Sequence, residues 1–63
     1  PAPAPGATVL VFETDDVDAF MARAVAAGGK VQTPVTKIPE MGLSYAYVQD
    51  PEGHVLEPLC RKA

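Results

Sequence analysis

Hydrophobic and polar positions along this chain change period twice, and each change marks an element. Thr8-Val9-Leu10-Val11-Phe12-Glu13 is a β-branched and apolar run, long enough for one mostly buried strand. From Val17 the apolar residues follow a helical stripe, Val17, Phe20, Met21, Ala24 and Val25, at i, i+3, i+4, i+7 and i+8. Asp15 or Asp16 caps this helix, Asp18 lies near the positive end of its dipole, and Gly28-Gly29 stops it. Capping accounts for all three aspartates without calling on a metal.

Strand propensity returns at Lys30-Val31-Gln32-Thr33 and continues through Val35 to Ile38. Pro34 removes one ladder donor, so this strand is expected at a sheet edge or bulged. Pro39-Glu40-Met41-Gly42 has turn chemistry and leads into Leu43 to Gln49, which puts Tyr45 and Tyr47 on one face beside Leu43. Asp50-Pro51-Glu52-Gly53 suits a type I turn with glycine taking the positive dihedral, and His54 to Cys60 forms the last strand. The predicted order is βαβββ, an α+β module with a mixed sheet, over residues 7–60. Residues 1–6 read as a Pro/Ala-rich leader and 61–63 as a tail.

Length changes the picture, because a chain of 63 residues buries only about 60% of the surface it exposes when unfolded. Cys60 is the only cysteine, so no disulfide within the chain can compensate. One sheet face would take the helix and the other would stand bare, which predicts a homodimer or higher homo-oligomer. The formal net charge of −3 and the scattered basic residues argue against a nucleic-acid partner, and no apolar run approaches the ~20 residues of a membrane helix. A lone thiol and the lack of a targeting signal before Ala7 favour a reducing, cytoplasmic setting.

The chemistry concentrates on Glu57, a carboxylate inside an apolar strand. An ionised acid there costs several kcal/mol unless it meets a partner, a metal or water. Glu57 reads as a metal ligand, as a polar group or general base in a pocket, or as a member of an ion pair. Around it, Val55 and Leu59 alternate on the same strand face, and Val9 and Val11 line the same concavity. Tyr45 and Tyr47 either pack the sheet or face the ligand. His54 fixes the turn or lends acid–base chemistry, Met41 is a candidate lid, and Cys60 is a small buried hydrophobe.

Phe12-Glu13-Thr14-Asp15-Asp16-Val17-Asp18-Ala19, then Ala26-Ala27-Gly28-Gly29, and above all Tyr45-Ala46-Tyr47-Val48-Gln49-Asp50-Pro51-Glu52-Gly53-His54 leading to Glu57 carry a resemblance. In this order and spacing they resemble the vicinal oxygen chelate superfamily of glyoxalase I, extradiol dioxygenases and bleomycin-resistance proteins. That resemblance implies two βαβββ modules whose sheets curl into a half-open barrel, with substrate and any divalent metal in the concavity. The chain is similar to a single C-terminal module, so a second chain or a longer protein would supply the other half.

Family members that hold a metal such as zinc, nickel, iron or manganese take a first-strand ligand and a last-strand carboxylate from each module. Glu57 matches the carboxylate, whereas the first-strand position, three residues before Phe12, falls on Val9, which has no donor. The expectation is therefore a small-molecule-binding half-domain whose cavity forms between two chains, without a catalytic metal. The alternative is a metal-dependent lyase, isomerase or dioxygenase in which Glu57 moves a proton.

Overall fold

The computed structural model describes residues 9–61; the expected leader, Ala7, Thr8 and the tail residues 62–63 lie outside them. Strand β1 (Val9–Glu13), helix α1 (Val17–Ala26) and strands β2 (Lys30–Ile38), β3 (Leu43–Gln49) and β4 (Val55–Arg61) follow one another, giving the expected βαβββ order. Arg61 extends the last strand one residue past the expected module end. The sheet order is β1-β4-β3-β2. β1 runs parallel to β4 and the other neighbours are antiparallel, so the sheet is mixed.

Local chemistry sets each boundary. Asp16 caps α1, its Oδ1 accepting from the backbone N–H of Ala19 at 3.0 Å, and Asp18 stands in the first turn. At the other end the N–H groups of Ala27, Gly28 and Gly29 donate to the last free carbonyls of the helix, with Gly28 at a φ of 100°. The Pro39–Met41 turn is 3₁₀ and closes on Gly42 at a left-handed φ of 61°. Between β3 and β4, Asp50 Oδ1 accepts from the N–H groups of Glu52 and His54 at 3.0 and 2.8 Å, and Gly53 takes a φ of 92°. β2 is an outer strand whose register shifts on both sides of Thr33, through the stretch that holds Pro34, as a missing ladder donor requires.

The core lies between α1 and one face of the sheet. Val17 and Met21 pack on Ala46, Val48 and Cys60, with Phe20, Ala24, Val35 and Leu56 around them. Ala46, Val48 and Cys60 alternate with Tyr45, Tyr47 and Leu59, so this second set turns to the opposite face.

Two expectations about burial are corrected. β1 is not mostly buried: Leu10, Val11 and Phe12 are 43%, 57% and 41% exposed. As an outer strand it has one hydrogen-bonded neighbour, β4, and α1 packs chiefly over β2, β3 and β4. The helix reaches it through Phe20, whose ring lies 5.6 Å from that of Phe12. Val25, the last residue of the helical stripe, is also exposed: it lies about 80° round the helix from Val17, at the margin of the face that Met21 and Ala24 bring to the core.

Candidate functional site

On the face away from α1, strand register lays side chains in three transverse rows. Val9 stands beside Val55, and Val55 beside Gln49. Val11 stands beside Glu57, and the same antiparallel register brings Tyr47 across from Glu57. Glu13 stands beside Leu59, and Leu59 beside Tyr45. Thr33 and Thr36 of β2 pair with Tyr47 and Tyr45 and carry two of these rows to the far edge. The fold thus gathers Val9, Val11, Tyr45, Tyr47, Val55, Glu57 and Leu59 on one surface.

Val55 and Leu59 are buried at 4% and 9% exposure although they stand outside the helix-side core, because β4 is an inner strand flanked on both sides. Tyr45 and Tyr47 meet edge to face with ring centroids 5.8 Å apart, a geometry the aromatic quadrupole favours. The Tyr47 phenol is held above its ordinary value near 10. Burial contributes most, then the Glu57 carboxylate, then Tyr45, and last a hydrogen bond to Glu57. Each cause disfavours the phenolate, so Tyr47 remains a proton donor facing an acid.

That shift makes a measurable statement. The chain has two tyrosines, and phenolate absorbance during alkaline titration should show one ionising later than the ordinary range. Glu57→Gln should bring that later step down, since a neutral side chain no longer repels the phenolate, while burial keeps it from returning fully. A proton held more tightly in the folded than in the unfolded state also fixes the sign of the stability change: the contribution is complete below about pH 10 and is lost as pH rises through the folded value. A late step unmoved by Glu57→Gln would show that Glu57 does not touch Tyr47.

His54 and Met41 do not join this surface as chemistry. The His54 Nε2 lies 3.8 Å from Glu52 Oε1 at the β3–β4 turn, with both side chains at least half exposed. Met41 is 71% exposed in the 3₁₀ turn. Cys60 is buried against α1, its thiol 3.7 Å from the Asp15 carbonyl.

A divalent metal does not fit the residues present. Among the described residues no three of histidine, cysteine, aspartate and glutamate come together, and the neighbours of Glu57 across the sheet are a valine and a tyrosine. Val9 and Val11 offer no lone pair where a first-strand ligand would stand, and the other carboxylate on this face, Glu13, stands beside Leu59 rather than beside Glu57.

Among the described residues, two clefts border the sheet. The larger, about 450 Å³, lies at the C-terminal ends of the parallel pair and is lined by Glu13, Thr14, Asp15, Leu59 and Arg61. The smaller, about 250 Å³, is lined by Lys37, Pro39, Gly42, Leu43, Ser44 and Cys60. Of the residues expected to line a pocket, Leu59 alone borders either cleft. The others lie on an open sheet face that one chain does not enclose. The sequence reading passed over Glu13 and Arg61, although each continues an alternation, Val9-Val11-Glu13 and Glu57-Leu59-Arg61, that puts it on this face.

Residues 1–57 match the model of the Glyoxalase/Bleomycin resistance protein/Dioxygenase superfamily. The chain belongs to that superfamily. TioX from Micromonospora sp. ML1, a solved structure, is 31% identical and superposes with a TM-score of 0.71 over 95% of this chain. The glyoxalase-superfamily chain spans about half of TioX, 48% of its length. No curated protein matches it. The superfamily match accords with the βαβββ order and the mixed four-stranded sheet.

Proposed function

We propose that this glyoxalase-superfamily module binds a small, partly aromatic molecule on the open face of its sheet, in a cavity completed by the same face of a second module. The observation that supports this most is the middle row, Val11, Glu57 and Tyr47: one carboxylate and one protonated phenol in apolar surroundings, with no metal donor beside them. Such a row holds a ligand by ring contact and by one or two directed hydrogen bonds. The coverage of TioX, about half, supports a partner module of similar size. A symmetric homodimer supplies it most simply, since the same face can meet itself across a two-fold axis. The setting proposed is the reducing cytoplasm, where Cys60 stays a free thiol.

Glu57 and Tyr47 are also the pair on this face best placed to exchange a proton with a ligand. That favours, as the second reading, proton-transfer catalysis of a lyase or isomerase kind. For the metal-dependent version of that reading the middle row offers the Glu57 carboxylate and, at Val11, no second donor.

Native mass spectrometry tests the paired cavity and its metal content. The expected result is a dimer free of divalent metal. A folded monomer would remove the paired cavity, and a dimer retaining one ion per pair would overturn the metal-free reading.

A further inference from the structure

The larger cleft opens at one end of the proposed binding face and differs from it in character. Its floor is Leu59, which is 9% exposed and stands directly beside Tyr45. Its walls carry charges of both signs: Glu13 and Asp15 on the segment leaving β1, and Arg61 at the end of β4. The Arg61 Nε and Glu13 Oε1 lie 3.9 Å apart, with side chains 71% and 72% exposed. An exposed pair at that distance is weak, so both groups are available to a ligand at little cost. At about 450 Å³ the cleft is of the size that small molecules occupy.

Resting on the proposed binding function, we infer that this cleft takes the zwitterionic head of the ligand, an ammonium and a carboxylate on one carbon, while the ligand's ring lies on Tyr45 and Tyr47. The geometry assigns each charge a partner. Arg61 turns its guanidinium from Glu13 to the ligand carboxylate, which a planar fork grips by two parallel hydrogen bonds. Glu13 and Asp15 then receive the ammonium. With two acids and one base on its walls among the described residues, the cleft favours a lone ammonium over a lone carboxylate, and an amino-acid head satisfies both signs together. Leu59 connects head to ring, because its neighbour across the strand is Tyr45.

The chain contains no tryptophan, so an indole probe excited at the red edge of its absorption, beyond the two tyrosines, reports without tryptophan background. Titrations with L-tryptophan, tryptamine and indole-3-acetate vary the head group on one ring. The expected order of affinity is L-tryptophan, then tryptamine, then indole-3-acetate, with steps of about two- to fivefold, the range of exposed charge pairs. Arg61→Gln should bring L-tryptophan down to tryptamine and leave tryptamine unchanged or slightly tighter. Glu13→Gln should weaken both amines. Indole-3-acetate binding best, or L-tryptophan keeping its advantage in Arg61→Gln, would overturn the head-group assignment while the binding function stands. Binding of none of the three probes would remove the aromatic binding function and this inference with it.

Discussion

Gly29→Ala should lower the stability of the chain by about 2 kcal/mol, a melting shift of roughly 10 °C for a domain of this size. A Cβ at this position would meet the Ala24 carbonyl at 2.8 Å, the Gln49 carbonyl at 3.1 Å and Val48 Cγ2 at 3.1 Å. Two of those atoms belong to the backbone and cannot swing aside. Gly29 also donates to the Ala24 carbonyl at 2.9 Å, so the clash falls where the end of α1 is fastened to the sheet. Alanine restricts the unfolded chain and returns about 0.4–1 kcal/mol, which leaves the net effect destabilising. A domain of 63 residues has on the order of 3–9 kcal/mol in all, so the loss is a large share. Thermal unfolding followed by circular dichroism measures it. An unchanged midpoint would mean that α1 and β3 do not approach this closely.

Glu57→Gln should weaken tryptamine binding by about tenfold while the protein remains folded. Glu57 stands half-buried between Val11 and Tyr47, where the carboxylate strengthens any hydrogen bond a ligand donates. Glutamine keeps the shape and one acceptor oxygen and removes the charge, and a bond to a charged acceptor is worth about 1.5–3 kcal/mol against about 1 for a neutral one. The change needs no repacking, but Tyr47 loses a carboxylate that favours its protonated form, so the melting temperature at neutral pH should hold or fall slightly. Indole fluorescence measures the affinity and the alkaline titration of Tyr47 confirms that the replaced carboxylate was the one beside the phenol. Affinity unaltered by Glu57→Gln would move the ligand off the middle row, and loss of a catalysed reaction in the same variant would instead favour the proton-transfer reading.

Element order was readable because local rules act on short stretches. Asp16 caps as its type predicts, Gly53 takes the positive φ its turn demands, and Pro34 falls within the irregular stretch of an outer strand. The site was readable in part, since alternation alone puts Val55, Glu57 and Leu59 on one side of β4. The exposure of β1 was not readable. Thr8 to Glu13 has the composition of a buried strand, and which strands flank it is a property of topology rather than of composition. Glu13 and Arg61 were missed for a related reason: neither says where it lies until β1 and β4 pair in parallel and bring both to the end of one face.

By itself the sequence determined the βαβββ order, the capped helix, the turn residues, the superfamily and the lack of a donor at Val9, because propensity, periodicity and side-chain chemistry act within a few residues. Tertiary structure alone decided that β1 stands at an edge, that Val11, Glu57 and Tyr47 share a row, and that charges of both signs frame a cleft beside Tyr45. Each of those relations ties β1 to residues more than thirty positions away, and strand pairing sets them.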